Sequence, residues 1–217
     1  MLVVEEERPA LPTEACRVGG CRSSWTPGWV VERPEPVLRV ATLDDEAALD
    51  ALMKQSAAVL FPLFYDELQA ASAVRFVPEV DRMLLVDGTY FVLETGGQAV
   101  ACGGWSRRDR LYTGSGDSEG DARPLDPASE PARVRAMFVH PDWTRRGLGR
   151  RILVACEEAA RREGFLRLVL LSTLPGLPLY RSYGFRALEE VEATLPDGVK
   201  LPCVSMDKTI ERPRGTA

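Results

Sequence analysis

The sequence predicts an α/β domain in which seven strands and four helices follow one another in the order β-α-α-β-β-β-α-β-α-β-β. Three observations support this fold class. Short apolar runs bounded by turn-forming residues recur seven times between residues 37 and 210. Longer stretches with apolar residues at helical spacing lie between several of these runs. Residues 134–164 join a strand, a glycine-bearing turn and a long amphipathic helix, and the rest of the domain is organised around this unit.

Length and charge restrict the class of protein. The chain has 217 residues, 45% of them hydrophobic, which is ordinary for one globular domain with a substantial core. Its net charge of −5 argues against a nucleic-acid-coating protein, which needs excess basic surface. No apolar run approaches the roughly 20 residues that span a bilayer, and Glu5-Glu6-Glu7 is the wrong polarity for a secretory signal. We therefore expect a cytoplasmic protein with neither a nucleic-acid nor a membrane partner.

Five cysteines are scattered along the chain without a Cys-x-x-Cys pair. Cys102 and Cys156 lie within apolar patterns, so we expect them to be small core residues in a reducing compartment. Cys16 and Cys21 have no further ligands nearby, and the sequence therefore predicts no metal site.

Composition divides the chain into three parts. Residues 1–36 contain five prolines and no helical or strand period, which predicts a mobile N-terminal arm. Residues 37–210 carry the regular patterns and form the predicted domain. Residues 211–217 are a short C-terminal tail.

The first part of the domain predicts one strand and two helices. Residues 37–41 alternate as a strand, and Thr42 or Asp44 can cap a helix that runs through Met53. A second helical stretch covers about 57–75 and should break at Pro62. Its aromatic residues are expected in the core, or on the wall of a substrate pocket: Phe61, Phe64 and Tyr65.

The next part predicts a hairpin and a long loop. Strands at about 89–94 and 98–105 are joined by Gly96-Gly97, a typical hairpin turn. Residues 106–131 are rich in Gly, Asp, Ser and Pro, with a basic first half and an acidic second half. A loop of this length is either a functional lid or a disordered insertion.

The central unit begins with a strand at Val134–Val139, which His140-Pro141-Asp142 interrupts because proline cannot donate to a strand ladder. A short basic segment, Gly147 and Gly149 lead into the helix. Its core-facing residues recur at helical spacing: Leu148, Ile152, Cys156, Ala159 and Ala160.

Basic residues crowd the start of this helix, where acidic residues normally stabilise the helix dipole. The basic residues are Arg145, Arg146, Arg150 and Arg151. A helix start offers unpaired N–H donors and partial positive charge, so this cluster predicts an anion site; the alternative is a solvated basic turn. Dinucleotide and Walker-type phosphate motifs match poorly, because the third glycine and the Gly-Lys-Ser/Thr ending are both missing.

The end of the chain predicts three strands and a short helix. Residues 166–171 are almost wholly apolar, as in a strand buried on both faces. A short helix from Pro178 to Tyr183 is closed by Gly184. Strands at about 187–193 and 201–208 follow, joined by a Pro-Asp-Gly turn.

Two of these segments resemble the GCN5-related N-acetyltransferase (GNAT) superfamily. Residues 144–149, Thr-Arg-Arg-Gly-Leu-Gly, resemble the family's Arg/Gln-x-x-Gly-x-Gly/Ala motif, with Thr144 in place of the usual Arg or Gln. Residues 179–185, Leu-Tyr-Arg-Ser-Tyr-Gly-Phe, resemble its second block at the expected separation. The resemblance implies a mixed, mostly antiparallel sheet of about seven strands, with helices on both faces and a splay between the fourth and fifth strands.

The resemblance also implies a function and a set of site residues. The function is an acyl-CoA-dependent N-acyltransferase, most simply an N-acetyltransferase that uses acetyl-CoA as co-substrate, without a metal. Its acceptor would be a primary amine of a small molecule or peptide. A homodimer is possible on this resemblance. Tyr180 would protonate the departing thiolate. The cofactor-binding residues would be Met137, Phe138, Val139, Arg145, Arg146, Gly147, Leu148, Gly149 and Arg150.

The general base is not determined by the sequence. Glu94, Glu130 and Asp109 lie in suitable segments, but no spacing selects one of them. His140 is the single histidine, and its place before a proline in a turn predicts a surface position rather than a catalytic one. The alternative function is a non-catalytic acyl-CoA-binding or sensing module of the same fold.

Overall fold

The computed structural model describes residues 34–109 and 123–211, and they form one seven-stranded sheet in the order β1-β2-β3-β4-β5-β7-β6. Neighbouring strands are antiparallel except β4 and β5, which are parallel. The mixed, mostly antiparallel sheet predicted above is therefore confirmed. The strands are β1 Val37–Val40, β2 Tyr90–Thr95, β3 Gln98–Ser106, β4 Ala132–Val139, β5 Arg167–Thr173, β6 Arg186–Thr194 and β7 Lys200–Thr209.

The described residues contain five α-helices, one more than predicted. They are α1 Glu46–Leu60, α2 Glu67–Phe76, α3 Arg82–Val86, α4 Leu148–Arg162 and α5 Leu177–Tyr183. The additional helix, α3, is only five residues long. The break at Pro62 is confirmed, but α1 continues past Met53 to Leu60, so the predicted division between the first two helices was too early. The helical pattern persists until the proline, whose missing N–H and ring disrupt the next turn.

Helices pack on both faces of the sheet, as predicted. On one face, buried side chains of α4, including Ile152, Leu153 and Cys156, join a core with Val134 and Leu170. On the other face, α1 packs over the middle of the sheet, and α2 packs near β7. Cys102, Cys156 and Cys203 are buried free thiols, so the predicted core position of the first two is confirmed.

The sheet opens between its two parallel strands. Strands β4 and β5 pair only at Ala132↔Leu168 and Arg133↔Val169, and beyond these residues the two strands separate. Within β4 the backbone of Ala136 has a φ of 52°, where the register with β3 also shifts. This irregularity, here called the β4 bulge, is held by the buried Tyr90 hydroxyl, which donates to the Ala136 carbonyl at 3.1 Å. The predicted splay is confirmed.

Several predictions fall on segments outside the described residues. These are most of the N-terminal arm, the middle of the 106–131 loop and nearly all of the tail. The ends of the loop are described, and they meet beside the start of β4, where the Asp109 N–H donates to the Arg123 carbonyl at 3.0 Å. Over residues 34–109 and 123–211, no helix is both long and apolar enough to cross a membrane.

Candidate active site

A cavity of about 880 Å³ lies at the splay. Its walls come from both faces of the sheet. One side is formed by the exposed edge of β4, the turn after it, the start of α4 and helix α5. The other side is formed by the ends of α1 and α2 and by strands β6 and β7, and it is called the acceptor side below.

The turn after β4 is tied back to the sheet through His140. Its backbone N–H donates to the Val100 carbonyl at 2.9 Å, and its ring Nδ1 accepts the Asp142 N–H at 3.2 Å. His140 is only 6% exposed, so the predicted surface position was wrong. The reason is that strand-like pairing continues one residue beyond β4 and draws the imidazole inward. His140 does not line the cavity.

The start of α4 presents unpaired backbone donors. Gly147 has a φ of +78° and Arg145 a φ of +62°, so the chain turns sharply just before the helix. The first intrahelical bond runs from the Arg151 N–H to the Gly147 carbonyl, which leaves the N–H groups of residues 148–150 without intrahelical acceptors. The first turn contains no acidic residue. These features favour an anion at this position.

The four arginines of this segment do not act as one cluster. Arg145 and Arg150 line the cavity, and the Arg150 guanidinium lies 5.2 Å from the centre of the Tyr183 ring. Arg146 stacks 4.8 Å above the Trp143 ring and lies beside the cavity rather than in its wall. Arg151 points elsewhere, because its guanidinium donates to the Pro36 carbonyl at 2.8 Å. The sequence alone does not distinguish these orientations.

Strand β4 forms the part of the cavity wall that lies between the α4 side and the acceptor side. Met137, Phe138 and Val139 line it. Met137 and Val139 pack against the core beneath α4, whereas Phe138 packs on the opposite face with the acceptor side. Beyond Arg133 this edge of β4 has no strand partner in the described chain, so its backbone polar groups face the cavity.

Gly103 on β3 is a residue that the sequence analysis missed. A Cβ atom there would overlap Met137 Sδ and lie 2.9 Å from Ile152 Cγ2. The absence of a side chain therefore lets Met137 and α4 pack closely against β3 at the bulge. The only sequence signal is the Gly-Gly pair at 103–104 inside a strand, which is typical of a bulge or close approach.

Tyr180 lies on α5 and lines the cavity, although it is only 8% exposed. Its ring packs edge-on against Phe185 at 5.7 Å, and Gly176 allows the ring to approach closely. Its hydroxyl has no hydrogen-bond partner among residues 34–109 and 123–211. Burial raises the pKa of this hydroxyl above its ordinary value of 10. The phenol therefore remains protonated at neutral pH and can donate a hydrogen bond.

None of the three carboxylates considered as general base lies at the cavity. Glu94 accepts from Arg39 at 2.7 Å, and Asp109 accepts from Arg133 at 2.7 Å. Glu130 accepts from Arg123 at 2.5 Å, near the ends of the 106–131 loop. Within the described parts of the chain, no group of three or more His, Cys, Asp and Glu residues is arranged to hold a metal ion.

The predicted aromatic stripe divides into core and pocket residues. Phe61 and Tyr65 are buried, whereas Phe64 is 45% exposed and lines the cavity. The Tyr65 hydroxyl is fully used within the fold, since it donates to the Pro202 carbonyl and accepts the Leu174 N–H, both at 2.9 Å.

Part of the chain is similar to a known family of proteins. Residues 86–187 match the family model described as the acetyltransferase (GNAT) domain. This match agrees with the resemblance to the GNAT superfamily seen in the sequence. No curated protein sequence matches the chain.

Solved structures with the same fold are numerous. A GCN5-related N-acetyltransferase from Rhodopseudomonas palustris matches with a TM-score of 0.61 at 19% identity, covering 82% of this chain and 97% of that one. YncA of Salmonella typhimurium, solved with its cofactor acetyl-CoA, matches with a TM-score of 0.54 at 18% identity, covering 85% and 99%. The ribosomal-protein-S18-alanine N-acetyltransferase from Escherichia coli gives 0.51 at 18%, covering 84% and 98%. At these identities the similarity concerns the fold.

Proposed function

We propose that this protein is an acetyl-CoA-dependent N-acetyltransferase that moves an acetyl group to a primary amine by direct attack. The observation that carries the proposal is the meeting of three features in one cavity: a helix start with unpaired N–H donors, an unpaired strand edge, and a buried tyrosine hydroxyl. Anion binding, carbonyl polarisation and thiolate stabilisation are the three tasks that acetyl transfer from a thioester requires. Solved structures of the same fold contain CoA or acetyl-CoA.

The start of α4 would hold the pyrophosphate of acetyl-CoA. The N–H groups of Leu148, Gly149 and Arg150 supply directed donors, and the helix dipole adds partial positive charge. Gly147 provides the left-handed turn that exposes these donors. The side chains of Arg145 and Arg150 add charge in the wall, and Arg146 adds charge beside it.

The unpaired edge of β4 would hold the pantetheine arm and the thioester oxygen. Acetyl-CoA would supply an activated acetyl group. Among Met137, Phe138 and Val139, the backbone N–H groups that point away from β3 would stabilise negative charge as it develops on the carbonyl oxygen. Donors that are already oriented need no reorganisation during the reaction, which makes them a large catalytic contribution. The β4 bulge fixes their direction.

Tyr180 would act on the departing sulfur. The amine nitrogen bonds to the carbonyl carbon, the C–S bond breaks, and the Tyr180 hydroxyl donates its hydrogen to the thiolate. Solvent takes the proton that the amine loses and restores the proton of Tyr180. The raised pKa keeps this phenol protonated at neutral pH, so its hydrogen bond to sulfur strengthens as charge develops there and the proton is available to transfer.

Replacing Tyr180 with phenylalanine tests this role. Tyr180→Phe keeps the ring packing and removes only the hydroxyl, so kcat should fall by about 10²–10⁴-fold while the acetyl-CoA KM changes little. Tyr183→Phe is the matched control, because Tyr183 lies one turn further along α5 and outside the cavity wall. Equal kcat for both variants, with chemistry shown to limit the rate, would remove Tyr180 from the mechanism.

The second candidate is a non-catalytic acyl-CoA-binding or sensing module. Two observations favour it: the Thr144 hydroxyl is used internally, donating to the Pro141 carbonyl at 3.0 Å, and no described carboxylate lines the cavity. Thiol release from acetyl-CoA across a panel of amines separates the two functions. Tight CoA binding without turnover on any amine would support the module.

A further inference from the structure

We infer that the acceptor is a small primary monoamine attached to an apolar group about the size of one ring. This inference rests on the proposed N-acetyltransferase function and adds the class of acceptor. It comes from the composition of the acceptor side, its charge, and the way its outer wall is fastened.

The acceptor side is one continuous apolar cluster. Phe61, Ala193, Leu201 and Cys203 are each at least 92% buried and pack together with Leu171 and Val77. All of these side chains except the Cys203 thiol are hydrocarbon. An apolar group that enters this side removes its own surface from water, which contributes roughly 25 cal/mol for each Å² buried. The binding energy available here therefore favours an apolar acceptor.

The described residues that line the cavity offer no free counter-charge to a cationic acceptor. The charged side chains that line the cavity, within the described chain, are the guanidinium groups of Arg135, Arg145 and Arg150. The Arg135 guanidinium is paired with the buried carboxylate of Asp81, and Arg145 and Arg150 lie at the start of α4, where they would face the pyrophosphate. A cationic group placed among apolar walls without a carboxylate loses its hydration and gains no counter-charge. An acceptor with one amine needs to lose only one proton to enter, whereas a polyamine would bring further charges.

One hydroxyl on the α1 wall can receive the amine. Ser56 is only 2% exposed and lines the cavity, and its hydroxyl has no hydrogen-bond partner in residues 34–109 or 123–211. The oxygen can accept one N–H bond from a neutral amine. Ser56 is therefore a positioning residue for the acceptor nitrogen rather than a base.

The outer wall of the acceptor side is fastened shut. Asp197, in the loop between β6 and β7, accepts from the Ser72 hydroxyl of α2 at 2.7 Å. The Gln69 amide, also on α2, donates to the Lys200 carbonyl at 3.2 Å. These bonds join the two elements that bound this side. A polypeptide segment that passes through a site needs a groove open at both ends, so a wall joined in this way disfavours such a segment and favours a small molecule.

Acceptor competition tests the inference. Thiol release at saturating acetyl-CoA would be measured with 2-phenylethylamine, spermidine and a short peptide with a free N-terminus. We expect kcat/KM for 2-phenylethylamine to exceed the other two by about 100-fold or more, equivalent to about 2.7 kcal/mol. Preference for spermidine or for the peptide would overturn the inference while leaving the N-acetyltransferase function intact.

If no amine turns over, binding of each amine to the CoA complex tests the acceptor site instead. In that case the proposed function fails, and the melting temperature of the CoA complex is measured with each amine. Stabilisation by 2-phenylethylamine but not by spermidine would support the apolar monoamine site. Equal stabilisation, the reverse order or no stabilisation would overturn it.

Two variants test the physical reasons directly. Phe64→Glu adds a carboxylate at the exposed mouth of the cavity, and Phe64→Gln is the matched neutral control. The ratio of kcat/KM for 2-phenylethylamine to kcat/KM for spermidine should be about tenfold lower in the Glu variant than in the Gln variant. Ser56→Ala should raise the KM for the amine several-fold without changing the KM for acetyl-CoA. Equal preferences in the Phe64 pair would contradict the charge argument, and an unchanged amine KM would remove Ser56 from the site.

Discussion

The anion site at the start of α4 can be tested at Gly147. A Cβ atom at this position would meet no heavy atom within 4 Å, so a side chain has room. The backbone φ of +78° is the obstacle, since most residues avoid the left-handed region. Asparagine and aspartate are the residues that tolerate this region best, and they have almost the same shape. Gly147→Asp and Gly147→Asn therefore differ mainly in one negative charge placed beside the unpaired donors.

The expected effect of that charge follows from electrostatics. Two unit charges about 4 Å apart interact by roughly 1 kcal/mol in water and about 4 kcal/mol at an effective dielectric constant of 20. The start of α4 is partly open to solvent, so the effect should lie near the lower end of this range. We expect Gly147→Asp to bind CoA at least tenfold more weakly than Gly147→Asn, which is about 1.4 kcal/mol. The backbone penalty is common to both variants and cancels in the comparison.

Calorimetric titration of CoA into both variants measures this difference. It should be made at low ionic strength and repeated near 0.15 M salt, where the Debye length is about 8 Å and the difference should shrink. Melting curves of the two variants establish that both are folded. Equal CoA affinity for the folded Asp and Asn variants would place the pyrophosphate elsewhere and refute the assignment of this helix start.

Three further predictions follow from the contacts of other residues. Arg150→Gln should weaken CoA binding several-fold and reduce the salt dependence of that binding, whereas Arg151→Gln should do neither. Of these two residues, only Arg150 lines the cavity. Calorimetric titration of CoA into both variants at two salt concentrations measures the difference. Tyr90→Phe leaves the carbonyl of the β4 bulge without its donor and should lower the free energy of unfolding by about 1–3 kcal/mol in urea titrations, and an unchanged midpoint would contradict this. The Arg39 guanidinium lowers the pKa of the Asp45 carboxyl to about 2, below its unfolded value. This pair therefore stabilises the fold above about pH 4, and the contribution is lost as pH falls towards 2. In Asp45→Asn, the free energy of unfolding should depend less on pH over this range.

The elements of the fold were predictable because their signals are local. Alternation, continuous apolar runs and Gly-Gly or Pro-Asp-Gly turns depend on neighbours in sequence, and they located all seven strands to within a few residues. Pro62 correctly marked the break between the first two helices, but the predicted end of the first helix, Met53, was too early, because α1 continues to Leu60. Helix α3 has too few residues to show a period. Its N-cap is Asp81, whose side chain accepts the Met83 N–H at 3.1 Å.

The candidate site was predictable in its backbone but not in its side-chain directions. The glycine turn and the helix after it follow from sequence order, whereas the orientation of Arg151 depends on Pro36, 115 residues away. The burial of His140 depends on pairing with Val100. The role of Gly103 depends on the packing of Met137 against β3. Each of these is a long-range contact, and no local pattern encodes it.

Strand β4 explains how one segment can serve both halves of the cavity. Side chains on a strand alternate between faces, so Met137 and Val139 support the α4 side while Phe138 forms part of the acceptor side. On the side away from β3, the β4 backbone between them borders the splay, where no described strand pairs with it. A thioester bound along this edge would therefore present its carbonyl carbon at the boundary of the two halves. Any change that rotates the β4 bulge, such as a side chain at Gly103, would alter both the oxygen-binding donors and the wall that the amine contacts. For this reason such changes should lower kcat more than they weaken the binding of CoA, whose pyrophosphate is held separately at α4.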